Sequence, residues 1–459
     1  MANHLPRKFA EIVGKDNVLT NEADRHAYAY DAAVLPPELP SLVVRPETTE
    51  ALGQVVATCN EYGVPLTIRG SGTNLSGGTI PAPEGVVVLT GALDRILEIN
   101  EADLYAEVEP GVITANFARE IASRGLFYPP DPGSQDVSTL GGNVAENAGG
   151  LRGLKYGVTK DYVLGLHFYD AAGELVKTGA RTVKCVSGLN LSGLLVGSEG
   201  TLGVISRIIL KLVPPPKASQ AIMAVFDDLM KASETVAAII AAKIVPATLE
   251  YMDNFTIRAV EDFAHAGLPT DAKALLLIEV DGHPAQVAEE AAAVATICKR
   301  IGAVNLQVAA DAGERDTLWQ ARRTALSALA RLRPTTVLED ATVPRSKIPA
   351  MIGALERIAA TYRLSIGTFG HAGDGNLHPT ILTDKRDQEE WKRVDAAIAE
   401  IFDVALELGG TLSGEHGIGL AKARYLDKEI GRPSILYSKR LKAALDPKGI
   451  LNPGKITGE

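Results

Sequence analysis

A glycine-rich loop that leads into a strand constrains the fold more than any other feature. Residues 70–78 read GSGTNLSGG; they follow the strand-like run 65–69 and precede Pro81, Pro83 and a second strand-like run at 86–89. In Rossmann and Walker-type sites the glycine loop opens a helix, whose N-terminus binds the phosphates. The prolines and the following strand exclude both types here, and no lysine follows Gly78. What remains is a loop whose backbone N–H groups can surround an anion.

Two further glycine-rich stretches, residues 132–150 and 197–205, point to a large ligand. Small residues allow the backbone to approach a planar or phosphorylated molecule closely. One such stretch is equally typical of a surface turn, but three favour a nucleotide cofactor. The segment before them reads as strand 42–45, helix 49–62 and strand 65–69, with Thr48 or Thr49 capping the helix start and Gly63 ending it.

A proline run at 214–216 predicts a domain boundary, because it stiffens the chain and ends the preceding strand. Beyond it, strand-like runs at 221–226, 274–280, 304–309 and 335–338 alternate with alanine-rich helices at 230–243, 285–301 and 346–362. A further helix is predicted at 391–408. This pattern predicts an α+β layer, a sheet with helices on one face.

Three histidines in two glycine-rich motifs, GHAGDGNLH at 370–378 and SGEHGIG at 413–419, suggest a metal site. His371, His378 and Glu415 form a ligand set that suits zinc, with manganese and iron as alternatives. A hairpin turning at Asp374 would bring the first two side by side. Adjacent side chains of an extended segment point apart, so one of Glu415 and His416 should ligate and the other face a second partner. A single histidine in such a loop is more often an ordinary turn residue, but the paired motifs favour a metal.

Arg322 is an anomaly in a helix predicted for residues 314–333. It lies three or four residues from Leu318, Trp319 and Leu326, on or near the apolar face. Either the side chain extends to solvent, or its guanidinium binds a substrate carboxylate.

Composition excludes several classes. The 459 residues carry a net charge of −10 and no basic cluster, which argues against nucleic-acid binding. No apolar run approaches the ~20 residues of a membrane span, and no signal peptide is evident, so a cytoplasmic location is expected. Cys59, Cys185 and Cys298 are too dispersed for a disulfide framework or an iron-sulfur cluster. At this point a metal-dependent hydrolase and an oxidoreductase both fit the histidine motifs.

Taken together, the motifs resemble the FAD-linked 2-hydroxyacid dehydrogenases with the vanillyl-alcohol-oxidase type fold, which include glycolate oxidase D subunits, D-lactate dehydrogenases and D-2-hydroxyglutarate dehydrogenases. The resemblance rests on IRGSGTN at 68–74, TLGGN at 139–143, GTLG at 200–203, the two histidine motifs and NPGK at 452–455. It implies a two-part FAD-binding domain (1–217 and 416–459) and an α+β cap domain (218–415) that carries substrate and metal.

The resemblance also implies which residues bind the cofactor. Noncovalent FAD is expected, because residues 69–78 contain neither histidine nor cysteine. The expected FAD-binding residues are Arg69, Gly70, Ser71, Gly72, Thr73, Asn74, Gly77, Gly78, Pro132, Gly133, Ser134, Thr139, Gly141, Gly142, Asn143, Ala145, Asn147, Gly149, Gly150, Gly200, Thr201, Gly203, Val204, Ile205 and Asn452.

The implied reaction is oxidation of a D-2-hydroxy acid to the 2-oxo acid. The metal, on His371, His378 and Glu415, would bind the substrate oxygens, His416 would be the general base and Arg322 would hold the carboxylate. Relatives acting on 2-hydroxyglutarate carry a lysine shortly before an Asp-x-x-x-Pro stretch, whereas here VLE precedes Asp340, which favours D-lactate or glycolate.

Electrons must pass to an external acceptor: an iron-sulfur or electron-transferring flavoprotein subunit, a quinone or a cytochrome. A partner of this kind could bring the chain to a membrane, and a homodimer stays open. A noncatalytic electron-transfer subunit is the remaining alternative.

Overall fold

The computed structural model describes residues 4–458, which form two compact units. The first comprises the chain up to Gly149, then Val158–Pro215, and the chain from Glu415 onward; the second comprises Gly150–Gly157 and Pro216–Gly414. Residues 150–157, placed in the FAD-binding domain by the sequence analysis, thus belong to the second unit.

The first unit contains two sheets. One has four strands, Val18–Leu19, Leu42–Val44, Val86–Leu89 and Leu66–Arg69, in that spatial order. The other has five, in the order Ile96–Asn100, Tyr105–Val108, Val204–Lys211, Val163–Tyr169 and Leu175–Gly179. The α-helices are Leu5–Val13, Glu22–His26, Thr49–Tyr62, Thr114–Ser123, Leu140–Glu146, Leu191–Leu195 and Leu426–Leu445.

The strand–helix–strand prediction for residues 42–69 is confirmed. Leu42–Val44 and Leu66–Arg69 both pair in parallel with Val86–Leu89. The Thr48 hydroxyl accepts the Ala51 N–H at 3.1 Å and caps the connecting helix, and Gly63 ends it with a left-handed φ of 64°. The chain passes from the 70–78 loop into a strand rather than a helix, as the prolines predicted.

The end of the chain joins the four-stranded sheet. Leu66 N–H donates to Ile450 O and Asn452 N–H to Leu66 O, each at 2.8 Å. Ile450 and Leu451 are buried in the same core cluster as Leu66. This pairing fixes the position of Asn452 beside the glycine loop that follows Arg69.

The second unit is built on an antiparallel sheet of eight strands. Seven follow one another in space: Asn305–Val308, Ala218–Phe226, Ala274–Gly282, Thr248–Asp253, Ser365–His371, Asn376–Thr383 and Thr335–Leu338; Ala341–Thr342 also pairs with Asn376–Thr383. The α-helices are Gly153–Tyr156, Leu229–Ala241, Asn254–Ala264, Pro284–Ile301, Ala312–Arg323, Ala325–Ala330, Ile348–Tyr362 and Gln388–Glu407.

Two details of the sequence prediction are wrong. The sheet is covered on both faces, because Met223 and Val225 join the core cluster of Trp319 and Leu329 while the alternate residues of the same strand are also buried. The helix predicted for 314–333 is two helices, which meet at Thr324. Arg322 therefore lies in the last turn of the first of them.

Candidate active site

The hairpin prediction for the first histidine motif is confirmed. Strands Ser365–His371 and Asn376–Thr383 pair antiparallel, with His371 opposite Asn376 and Phe369 opposite His378. This register makes His371 and His378 diagonal neighbours on one face of the sheet. Their ring centroids are 5.1 Å apart in an edge-to-face arrangement, and both side chains are buried.

Glu250 connects this hairpin to the neighbouring strand. Tyr251 pairs with Gly370 and Met252 with Phe369, so Glu250 and His371 each lie one residue beyond a paired position. Oε1 of Glu250 lies 2.7 Å from Nδ1 of His371. The carboxylate is only 1% exposed. Sequence reasoning missed Glu250; an acidic residue between Leu249 and Tyr251, inside a strand, was the available signal.

The charges around Glu250 keep it ionised. Burial alone would raise its pKa, but His371, Arg322 and His378, together with the hydrogen bond from His371, hold the pKa below its ordinary value. Nδ1 of His371 is the ring nitrogen that faces this carboxylate, so Nε2 is the nitrogen that could ligate a metal.

Arg322 is buried and does not extend to solvent, so that alternative is wrong. Its Nη2 lies 2.6 Å from Oε2 of Glu250, and its guanidinium stacks over the Phe369 ring at 4.7 Å from the centroid. Nε of Arg322 has no hydrogen-bond partner among residues 4–458. In the same helix, the Trp319 indole N–H donates to Glu279. The helix thus contacts carboxylates of two adjacent strands, and Arg322 retains an N–H group for a ligand.

Asp340 anchors the second histidine motif. Its Oδ2 accepts the Ser413 hydroxyl at 2.7 Å and the Gly414 N–H at 2.8 Å, and Glu415 follows Gly414 directly. Ligand atoms of His371 and His378 lie within 4.8 Å of one another, and so do those of Asp340 and His378. Glu415 and His416 begin the last segment of the first unit. Sequence reasoning did not identify Asp340 as a candidate ligand, because the stretch containing it had been considered only for substrate size.

The predicted FAD-binding residues of the first unit converge from four stretches of chain. A Cβ on Gly70 would collide with Oγ1 of Thr139, so these two stretches are in direct contact. The Ser71 hydroxyl donates to Val137 O, which lies between Ser134 and Thr139. The Asn452 amide donates to Gly78 O at 2.9 Å and to Glu199 O at 2.7 Å, which connects the 197–205 stretch and the tail to the same loop.

The predicted FAD-binding residues differ in whether their side chains or only their backbone could reach a ligand. Thr139 caps the short helix Leu140–Glu146, whose turns contain Gly141, Gly142, Asn143 and Ala145. Val204 and Ile205 begin a strand and bury their side chains in two core clusters, so only their backbone could reach a ligand. Gly150 is assigned to the second unit, whereas Asn147 and Gly149 belong to the first.

Two buried carboxylates in this unit were not predicted. Glu199 accepts the N–H groups of Ile418 and Gly419, each at 2.7 Å. Burial, and then the charges of Glu199 and Asp31, raise the pKa of Glu146 well above its ordinary value. Ser76 O accepts the N–H of Leu420 at 2.9 Å, so the segment that follows His416 is bound to two of the glycine-rich stretches.

Comparison with known protein families identifies the family of this chain. A family model described as the C-terminal domain of FAD linked oxidases matches residues 215–456, more than half of the chain. The chain belongs to the FAD-linked oxidase family. A second model, an FAD binding domain, matches residues 40–179. This FAD-linked oxidase is therefore an FAD-dependent oxidoreductase, and the resemblance inferred from the motifs is confirmed.

Named relatives cover nearly the whole chain. The glycolate oxidase subunit GlcD of Bacillus subtilis is 51% identical over 98% of this chain and 96% of its own length. A D-lactate dehydrogenase of Anaerostipes hadrus is 34% identical, again over 98% and 96%. Among solved structures, p-cresol methylhydroxylase with substrate bound superposes with a TM-score of 0.83 at 19% identity, covering 99% of this chain and 96% of that one. The last comparison shows the fold alone. Among residues 4–458, no helix is long and apolar enough to cross a membrane.

Proposed function

We propose that this oxidase converts a D-2-hydroxy acid, D-lactate or glycolate in the first place, to its 2-oxo acid. The observation that carries the proposal is the buried guanidinium of Arg322, which contacts Glu250 and Phe369 and has one N–H group lacking a hydrogen-bond partner in the described chain. A small acid offers the carboxylate that this N–H group would bind. The relatives named glycolate oxidase subunit and D-lactate dehydrogenase support the same substrate class.

The residues present fit the two groups that this reaction needs. The glycine-rich loops and Asn452 form a cradle of backbone N–H groups and small side chains suited to FAD, held without a covalent bond. His371, His378 and Glu415 supply two imidazoles and a carboxylate, a set that suits zinc, with manganese or iron as alternatives. When bound, FAD supplies the hydride acceptor and the metal supplies a Lewis acid for the substrate oxygens.

The protein's own side chains divide the remaining tasks. Nε of Arg322 donates to the substrate carboxylate and fixes its orientation. His416 takes the hydroxyl proton on an imidazole nitrogen, a role worth about 10²- to 10⁴-fold in rate. It stands two residues before Ile418, whose N–H is bound by Glu199 beside the predicted FAD residues Gly200 and Thr201. That anchoring supports a position for His416 close to the flavin.

The stretch before Asp340 supports a small substrate. Val337, Leu338 and Glu339 occupy the place where relatives specific for 2-hydroxyglutarate carry a lysine, so a second substrate carboxylate has no cationic partner there. The electrons pass on to an external acceptor, either a partner subunit with an iron-sulfur centre or a second flavin, or a quinone or cytochrome. The relative named as a glycolate oxidase subunit favours a partner subunit.

A turnover screen with metal analysis tests the proposal. The FAD-loaded protein is assayed with an artificial electron-accepting dye against D-lactate, L-lactate, glycolate and D-2-hydroxyglutarate, and its metal content is measured in the same sample. We expect activity with D-lactate or glycolate, little with L-lactate, and about one divalent metal per chain. Flavin-loaded protein that oxidises none of these acids would support the noncatalytic alternative, and activity without any bound metal would refute the metal assignment.

A further inference from the structure

Glu250 contacts two residues to which the proposed mechanism gives different functions. One of its oxygens contacts a proposed metal ligand, His371, at 2.7 Å, and the other contacts the proposed substrate-binding residue, Arg322, at 2.6 Å. These partners come from a neighbouring strand and from a helix.

We propose that Glu250 is a positioning residue that fixes the metal ligand His371 and the carboxylate-binding Arg322 relative to one another. This inference rests on the proposed function. Glu250 touches neither substrate nor metal in this account. Glu250 orients the ring of His371, and it orients the guanidinium of Arg322.

The contact with His371 determines which of its ring nitrogens can reach a metal. Nδ1 lies 2.7 Å from Oε1 of Glu250, so Nε2 is the nitrogen that would ligate. A carboxylate behind a ligating histidine also orients the ring and increases its basicity, and loss of such a partner typically costs 10- to 100-fold in metal affinity. Glu250 and His371 both lie within strands, next to the paired residues Tyr251 and Gly370, so this contact does not depend on a flexible loop.

The contact with Arg322 restricts the guanidinium. Glu250 binds Nη2, and the Phe369 ring covers one face of the group at 4.7 Å. The Phe369 ring centroid is also 5.4 Å from that of His378. Phe369 therefore belongs to the strand that carries His371, and Glu250 belongs to the neighbouring strand. The N–H group at Nε, without a partner among the described residues, keeps a defined direction for a substrate carboxylate.

An ion pair that only stabilises the fold would show the same contacts. The test must therefore separate a structural role of Glu250 from the positioning role. The perturbing variant is Glu250→Gln, which keeps size and shape but removes the charge. The matched control is Glu279→Gln, a carboxylate on the adjacent strand that accepts the indole N–H of Trp319, in the same helix as Arg322. Both are purified with FAD, and metal affinity is measured by competition with a chelator.

We expect Glu250→Gln to bind its metal 10- to 100-fold more weakly and to raise the substrate KM, with FAD content unchanged. Glu279→Gln should keep the affinity of the unaltered protein. Metal affinity of Glu250→Gln within twofold of the unaltered protein would overturn the inference.

A double variant removes the charge of Arg322 that Glu250→Gln would leave unpaired. Glu250→Gln leaves Arg322 buried without its counter-charge, which alone could destabilise the fold. Glu250→Gln combined with Arg322→Met has no such charge, and it carries the same test if the single variant does not fold. Its metal affinity should stay weak, and recovery to the unaltered value would show that Glu250 serves only the ion pair.

His371→Ala separates this inference from the proposal beneath it. If His371→Ala loses the metal but Glu250→Gln does not, only the role of Glu250 fails. If His371→Ala retains the metal with unchanged affinity, the proposed ligand set fails, and the inference fails with it.

Discussion

Gly149→Ala offers a test of Glu415 as a metal ligand without altering Glu415 itself. Gly149 has an ordinary negative φ, so alanine strains no backbone, but its Cβ would lie 2.6 Å from Oε2 of Glu415. The carboxylate oxygen would have to move by roughly 0.8 Å to restore ordinary contact. Metal–ligand distances tolerate only about 0.2 Å.

The displacement is several times that tolerance, so we expect metal affinity to fall at least tenfold, or about 1.4 kcal/mol. The assay is chelator competition followed by metal analysis. Flavin absorbance is recorded in parallel, because Gly149 also lies among the proposed FAD-binding residues. Gly91→Ala is the control, since no atom lies within 4 Å of a Cβ at Gly91. Equal metal affinity in the Gly149 and Gly91 variants would refute Glu415 as a ligand in the conformation described.

Three further predictions address the base, the flavin loop and the fold. His416→Ala should retain flavin and metal while flavin reduction by substrate, followed by rapid mixing, slows about 10²- to 10⁴-fold; loss of flavin instead would count against a base. Gly77→Ala should weaken FAD binding, measured by flavin titration, because φ is +77° and a Cβ would lie 2.6 Å from Leu35; unchanged affinity would argue against this loop as the FAD cradle. Burial raises the pKa of Asp253 to about 6, so the folded state holds a proton that the unfolded state releases above pH ~4. The free energy of unfolding should therefore fall by on the order of 3 kcal/mol between pH 4 and pH 6. The urea midpoint of Asp253→Asn, measured over the same pH range, should not show this fall. The same dependence of the midpoint on pH in both proteins would contradict the prediction.

The sequence patterns predicted the parts of the fold that depend on residues close to one another in the chain. The caps at Thr48 and Gly63 bound a helix of the expected length, and the prolines after Gly78 excluded a helix there. The Asp374-Gly375 turn fixed the hairpin, and with it the register that brings His371 and His378 together. In each case the residues that interact are close in sequence.

Contacts between distant residues were not predictable in the same way. Glu250 and His371 are 121 residues apart and meet only because their strands are neighbours in the sheet. Asp340 and Gly414 are 74 apart. One missed feature did have a signal: the continuous apolar run 274–278 is typical of a strand buried on both faces, yet helices were expected on one face only.

The most direct test of the proposed function is a single turnover without oxygen. The FAD-loaded protein is mixed anaerobically with D-lactate, glycolate or L-lactate, and the absorbance of the flavin is followed while the 2-oxo acid is quantified. The account predicts that D-lactate or glycolate bleaches the flavin and yields about one 2-oxo acid per flavin, and that L-lactate leaves it oxidised. A flavin that stays oxidised with both D-lactate and glycolate, in protein that retains its metal, would contradict it.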